Sequence, residues 1–352
     1  MSPPPSPDHP ALELLTDLLA VPAPSGREEQ LATIICEKLD ALGYTREADP
    51  AGNVMVRLAG QHADAGLMVL AAHMDEIGMV VTHIESDGSL RVARSGGLFP
   101  YKIGECPVEI VGDGETLTGL LSMGSTHAPG AEDHCPGWDD VRIITGLSPD
   151  ALASAGVRPG STAVPARFLC GPVTFGDPSD PLVAAWTFDD RMGIVALLRL
   201  LESLKRDKIT PARPTLVAFT VHEEGGAHGA KVLAHRERPE VFIAVDGCPM
   251  PPGTPLVLDG RPATWSKDQV THFDQRLVQA LCQAARDADT ELQTVVYERA
   301  LSDASAVYAS GGAPRVATVG HVRDNSHGYE VARLSVFDNL LKTLVQFVRT
   351  WV

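Results

Sequence analysis

Cysteine is scarce and unpatterned in this chain. Cys36, Cys106, Cys135, Cys170, Cys248 and Cys282 include no C-x-x-C pair. That excludes a zinc ribbon and a disulfide framework, and it points to a reducing compartment, the cytoplasm. Positive charge is also short: 29 Lys and Arg face 45 Asp and Glu, a net charge of −16. Nucleic acid and anionic membranes are therefore excluded as main partners. No apolar run is long enough to span a bilayer. The N-terminal MSPPPSPDHP lacks the basic and apolar regions of a signal peptide, and residues 1–10 are expected to form a loose tail.

What the chain does have is core-forming material. Of its 352 residues 44% are hydrophobic, enough for two domains or one large domain with an insertion. The stretch TLVAFTVHEEGGAHGA, from Thr215 to Ala230, organises the rest. Its apolar start reads as a strand buried on both faces, as in a parallel sheet. The run stops at His222, Glu223 and Glu224, and the glycines that follow permit a sharp turn. Two adjacent carboxylates at the end of a buried strand are costly without a positive partner. A metal answers this, with one Glu holding the ion and the other acting on water. From this stretch alone, a solvated pair in an exposed turn is an equal reading.

The α/β pattern recurs along the chain. Pro10 to Ala20 has helical spacing, and Ser25 with Glu28 forms a capping-box pattern for a second helix ending at Gly43. Leu67 to Ala72 is an apolar run ending at His73 and Asp75, whose H-x-D spacing puts both side chains on one side of an extended segment. A carboxylate near a metal-binding imidazole would fix its ring. LVAAWTF reads as a strand ending at Asp189 and Asp190, VFIAVDG as one ending at Asp246, and RVATVGH as one ending at His321, with His327 in the loop beyond. A last helix is expected from about Ala332 to Thr350. Between these, residues 77–177 are glycine-rich with short alternating segments such as SLRVARS and TLTGLLS, the pattern of an inserted β-rich domain. The expected division is thus 11–76 with 178–352 as one α/β domain and 77–177 as the insertion. His127, Glu132, Asp133, His134 and Cys135 form a polar cluster inside the insertion. Their spacing matches no metal motif, and an exposed loop is expected.

Open α/β sheets bind ligands at the carboxyl ends of their strands. Five apolar strands, each ending in a polar candidate, bring His73, Asp189, Glu223 with Glu224, Asp246, and either His321 or His327 to that edge. One Zn²⁺ needs about three protein ligands and a water. Two imidazoles and three carboxylates suit two metals with one carboxylate shared, and leave one carboxylate over as a base.

The motifs HMDEIG, FDDRMG, HEEGGAHGA, VDG and SDASAVYASGGAPRVATVGHVRDNSHGYE resemble those of the dinuclear metallo-aminopeptidases typified by the tetrahedral (TET) aminopeptidases and bacterial glutamyl aminopeptidase. RSGGLFPYKIGECPVEI and ALASAGVRPGST resemble that family's small β domain. The resemblance implies a mixed, largely parallel sheet flanked by helices, zinc-peptidase-like, with an inserted β-barrel or PDZ-like domain. It implies that Asp189 bridges two metals, that His73 and Asp246 complete one site, and that Glu224 and a late His complete the other. His327 is preferred for that last ligand because a Glu follows it closely, with His321 as the competing assignment. Glu223 would be the general base and Asp75 would orient His73. The implied cofactors are two divalent ions, zinc first, with cobalt or manganese also accepting such ligands. The implied partners are short peptide substrates and further copies of the chain, dimers assembling into a tetrahedral dodecamer. The alternatives are a carboxypeptidase or N-acyl amino acid deacylase of the same dinuclear clan, whose accessory domain tends to be a larger α+β lid, and a non-catalytic scaffold. Glycan hydrolysis could use two carboxylates but would not need His73, Asp246 and a late His.

Overall fold

The computed structural model describes residues 8–127 and 134–352. Most of the expected loose tail, residues 1–7, lies outside the described residues, as do Glu132 and Asp133. His9 already caps a helix, Pro10–Leu19, by accepting the Ala11 N–H on its ring.

Eight strands form a mixed sheet in the order Arg46–Ala48, Val54–Leu58, Thr215–Thr220, Met68–His73, Val241–Val245, Arg315–Gly320, Ala263–Lys267 and Gln293–Val296. The four central strands are mutually parallel, and Val54–Leu58 and Ala263–Lys267 flank them antiparallel. The central strands are apolar throughout because both faces are covered. Leu70, Val217 and Ile243 point into one core, packed under helices Pro10–Leu19, Glu29–Ala41, Phe188–Arg206, Gln275–Asp287 and Ser335–Thr350. Val69, Leu216 and Phe242 point into the other, closed by His228–Glu237 and Asp303–Ala309. The strand alternation thus divides each apolar run between two cores.

Six strands close into a barrel in the order Gly78–Ile84, Leu90–Ser95, Arg142–Ile144, Thr116–Ser122, Pro107–Val111 and Thr162–Pro165. Met79, Val92, Ile110, Leu121 and Ile143 fill it. Val173–Phe175, also within the glycine-rich stretch, pairs instead with Leu182–Trp186. His127, His134 and Cys135 are exposed, and His134 pairs with Asp140 at 2.7 Å. Among the described residues they form no ligand cluster. No described helix is long and apolar enough to cross a membrane.

Three local expectations are corrected. Leu182–Trp186 does not join the large sheet. It is the middle strand of a separate antiparallel sheet between Val173–Phe175 and Tyr329–Arg333. The same pairing takes Ala332 into a strand, so the last helix starts at Ser335. Ser25 and Glu28 form no capping box: the Ser25 hydroxyl donates to Asp75, and Glu28 accepts the Gly26 and His222 N–H groups. In both cases a tertiary partner outcompetes the local one.

One buried ion group joins these parts. Glu76 is fully buried and accepts from Ala23 N at 2.8 Å, from Arg167 at 3.1 Å and from Arg191 at 3.3 Å. Arg167 follows the last barrel strand, and Arg191 lies in the first turn of Phe188–Arg206 and donates to the Leu18 and Met74 carbonyls. Removing one partner from such a group leaves uncompensated buried charge, at a cost of about 3–5 kcal/mol. Glu76→Ala is expected to lose that much stability in urea denaturation. A loss below about 1 kcal/mol, the range of an exposed pair, would show that the two guanidinium groups find other partners.

Candidate metal centre

The central strands deliver their next residues to one edge. His73 ends its strand directly in register with Thr220. Beyond Thr220 the chain turns through His222, at φ 57°, and presents Glu223 and Glu224. Asp246 follows Val245, and the chain after Gly320 passes through His321 and Arg323 to His327. Asp189 and Asp190 come from the start of Phe188–Arg206, where both depart from helical φ/ψ. His73, Asp189, Glu223, Glu224, Asp246, Arg323 and His327 together line a cleft of about 330 Å³ that Trp265, Arg299 and Leu301 also line.

Two groups of ligand-type side chains form there, each with atoms within 4.8 Å of one another: His73 with Asp190 and Asp246, and Asp189 with Glu224 and His327. Asp189 faces both. One of its oxygens is 3.0 Å from His73 Nε2, and the other is 3.5 Å from His327 Nε2. Asp190, a resident of the first group, donates nothing and accepts the Gly193 N–H on one oxygen, while the other oxygen has no described partner. Glu223 belongs to neither group, and its carboxylate accepts no hydrogen bond among the described residues. His321 is elsewhere. It is fully buried, its ring packs 5.2 Å from that of Phe337, and burial with the nearby Arg323 pushes its pKa down to about 3. Of the two late histidines, the fold brings His327 to the carboxylates.

Asp75 does more than face His73. Its backbone carbonyl is 3.0 Å from His73 Nδ1, and its carboxylate lies 3.5 Å from the same atom. The carboxylate also accepts the Glu223 N–H at 2.8 Å, the Glu224 N–H at 3.1 Å and the Ser25 hydroxyl at 2.5 Å. Because a carbonyl only accepts, His73 Nδ1 carries the proton, and Nε2 is turned to the cleft.

The electrostatics show what the cleft lacks. Burial lifts Glu224 and Asp246 to about 7, and it lifts Glu223 and Asp190 well above the usual carboxylate range, with neighbouring acids adding to each. Burial would also raise Asp189, but Arg323, His327 and His73 outweigh it and hold that carboxyl well below the usual range. The imidazoles respond in the opposite sense. Burial disfavours charge on His327, yet Glu224 and Asp189 raise it to about 10; His73 is raised likewise by Asp189 and Asp75. Raised carboxylates beside raised imidazoles mark a surplus of buried negative charge in the cleft. Imidazole and carboxylate donors in two groups of three, the first buried and the second partly exposed, are donor types that divalent cations accept.

Two contributors went unread in the sequence. Arg323 donates to Asp189 at 2.5 Å and lies 3.3 Å from Glu330, and Glu330 in turn accepts the Asp189 and His327 N–H groups at 2.9 and 3.2 Å. Arg323 fits because residue 247 is glycine: a Cβ there would lie 2.2 Å from the guanidinium carbon. Arg323 and Glu330 flank His327 in the sequence, but nothing local says that they would meet Asp189.

Outer partners of metal ligands typically contribute 10–100-fold to affinity. Asp75→Asn keeps the size of the side chain but replaces one acceptor oxygen with a donor. It is expected to weaken binding of a divalent ion to the metal-free chain by about that factor, measured by titration calorimetry. Affinity equal to the parent chain would show that the Glu223–Glu224 turn holds its place without the carboxylate.

Comparison with known proteins gives the chain a family. The pattern of the M42 glutamyl aminopeptidase family matches residues 52–342. The glutamyl aminopeptidase of Lactococcus lactis subsp. cremoris is 30% identical over 238 residues, 66% of this chain, and the matched stretch spans 65% of that relative's length. An aminopeptidase structure from the archaeon Desulfurococcus kamchatkensis superposes with a TM-score of 0.85 at 26% identity, covering 97% of this chain and 94% of the other. The Pyrococcus horikoshii TET1 peptidase, which can assemble into a tetrahedron or a large octahedral shell, superposes with a TM-score of 0.84 at 25% identity, over 97% and 99% of the two chains. From a match that takes in both the sheet and the barrel, the chain belongs to the M42 glutamyl aminopeptidase family.

Proposed function

We propose that the chain is a metal-dependent aminopeptidase that removes N-terminal residues from short peptides by hydrolysis. One observation carries the reading: Glu223 faces the cleft beside two groups of ligand-type side chains and is itself engaged by neither. A carboxylate so placed is free to move a proton, whereas its neighbour Glu224 is committed to a group with Asp189 and His327.

The donor set would hold two divalent cations, His73 with Asp246 on one side and Glu224 with His327 on the other, and Asp189 shared between them. Zinc is the first choice, and cobalt and manganese suit the same donors. When bound, such ions supply Lewis-acid polarisation of the peptide carbonyl and activation of water. The chain's own residues do the rest. Glu223 accepts a proton from the attacking water and returns it to the leaving amine, a role open to it because it is engaged by neither ligand group. Arg323 keeps Asp189 ionised, and Asp75 holds the Glu223–Glu224 turn and the His73 ring in register. A homo-oligomer in which dimers assemble into a tetrahedral dodecamer is proposed by analogy with the TET1 peptidase structures, one a dodecamer and one able to form a tetrahedron or a large octahedral shell. The free state of the six cysteines accords with the cytoplasm.

The function is tested with unblocked peptides and their N-acetylated counterparts. Release of free amino acids from the first only, lost with chelator and restored by added zinc, cobalt or manganese, is the expected result. Cleavage of the blocked peptides, or turnover that survives full metal removal, would overturn it. Glu223→Gln is expected to retain both metals and lose at least about two decades of turnover, the lower end for loss of a general base. Near-normal turnover with metal content verified would remove Glu223 from that role. Asp189→Asn should lower occupancy of both ions, and full occupancy in that variant would transfer the bridging role to Asp190.

A further inference from the structure

The inserted barrel reaches into the metal centre. After the barrel strand Leu90–Ser95, the chain runs through Gly96 and Gly97 to the short helix Pro100–Ile103. The Gly97 carbonyl is 3.0 Å from His327 Nδ1. A carbonyl can only accept, so Nδ1 must carry a proton, and in the neutral ring the lone pair is then on Nε2. Nε2 is the atom that lies 3.5 Å from Asp189 and 3.6 Å from Glu224. The contact is too close for any side chain on the barrel segment. A Cβ at residue 97 would lie 2.4 Å from His327 Nδ1 and 2.5 Å from Cε1. One at residue 96, where φ is +74°, would lie 2.9 Å from a Glu224 carboxylate oxygen and 2.7 Å from Ile77. Farther along, Lys102 donates to the Asn325 carbonyl at 3.3 Å, from the same barrel segment to the same loop.

We infer that Gly97 is a positioning residue for the second metal: its carbonyl selects the tautomer and ring orientation of His327, and its missing side chain makes room for the ring. The barrel is thereby part of the machinery that sets occupancy of the Asp189–Glu224–His327 group, while the His73–Asp190–Asp246 group is independent of it. This rests on the reading that the two groups each bind an ion. Gly97 has an ordinary backbone conformation, since its φ is not in the left-handed region. Gly97→Ala therefore probes the contact with His327 without backbone strain.

The experiment is equilibrium dialysis of the metal-free full chain against Zn²⁺ or Co²⁺, for the parent, His327→Ala, Gly97→Ala and Gly137→Ala. Gly137 is a control in the same insertion, where a Cβ would meet only Asp140 at an ordinary 3.6 Å. The parent and the control are expected to bind two ions. Gly97→Ala is expected to bind the first ion normally and the second at least about tenfold more weakly, as loss of an outer partner of a ligand does. If Gly97→Ala binds both ions as the parent does, or weakens both equally, the inference is overturned. A parent that binds no second ion, or a His327→Ala variant that keeps two, refutes the two-metal reading instead. A second measurement needs no variant at residue 97. In ¹⁵N-histidine-labelled, metal-loaded protein, His327 should show the Nδ1–H form by long-range ¹H–¹⁵N correlation, with the signal identified by its absence in His327→Ala. The Nε2–H form overturns the inference even if Gly97→Ala fails to fold.

Discussion

The metal centre depends on one buried carboxylate that is itself not in either ligand group. Asp75 is fully buried, and it gathers two backbone N–H groups, one hydroxyl and the edge of one imidazole. Those contacts come from three places: the end of the Met68–His73 strand, the turn after Thr215–Thr220, and the Ser25 segment that precedes the second helix. Burial would raise Asp75, but the His73 imidazole beside it, and then the Ser25 hydroxyl and the Glu223 N–H, hold its carboxyl below the usual range. The carboxylate thus converts the register of two neighbouring parallel strands into a fixed placement of His73, Glu223 and Glu224. Ser25 supplies a bond to it and is lost to the helix cap.

The rest of the centre is a problem in charge. Asp189, Asp190, Glu223, Glu224 and Asp246 converge at one edge of the sheet, with the Arg323 guanidinium paired to Asp189. In a medium of low effective dielectric such repulsion is severe, and it must be relieved by protons or by cations. Arg323 secures one carboxylate, Asp189, which is the one facing both groups. Another buried ion group, Arg167 and Arg191 on Glu76, follows the same strand end, and its guanidinium groups also donate to the Pro165, Leu18 and Met74 carbonyls. Structural charge is thus satisfied by protein, and the charge in the cleft is left for a ligand to satisfy. This division separates residues that hold the fold from residues whose cost is retained for chemistry.

The strand ends were legible in the sequence because a strand buried on both faces must be apolar, and a polar residue that ends the run marks the edge of the sheet. That logic found His73, Glu223, Glu224 and Asp246. It also found Asp189, but in the wrong setting: LVAAWTF is equally apolar when it is the middle of a three-stranded antiparallel sheet, and composition does not distinguish the two. Ala263–Lys267 was unreadable for the opposite reason, since its ATWSK sequence ends in half-buried polar residues. Choosing between His321 and His327 required knowing the path of the chain after Gly320. There the main chain makes a short parallel pairing with Cys248–Pro249 that leaves His321 facing Phe337. Arg323 was out of reach because its place is created by a missing Cβ at Gly247, a relation between residues far apart in sequence.

Glycine carries information of a kind that periodicity does not. The frequent glycines of the inserted segment suggested small strands and turns, and several serve that purpose. Gly96 and Gly97 serve another, because the atoms they lack are the ones that would occupy the space of Glu224 and His327. The donor set is therefore built from several parts of the chain: the large sheet supplies His73, Glu224 and Asp246, the start of Phe188–Arg206 supplies Asp189 and Asp190, and the barrel limits where the last imidazole can stand. Packed interiors tolerate little displacement, so a shift of the barrel by even a fraction of an ångström would be felt at His327 before it reached His73. This asymmetry follows from the topology. His73 is anchored within the central sheet, whereas His327 sits at φ +58° in a loop held by one carbonyl, one N–H bond to Glu330 and the Lys102 contact. A fold that places one imidazole at the end of a central strand and the other on a loop clamped by an insertion gives the two candidate ligand groups unequal support although their donor types are the same.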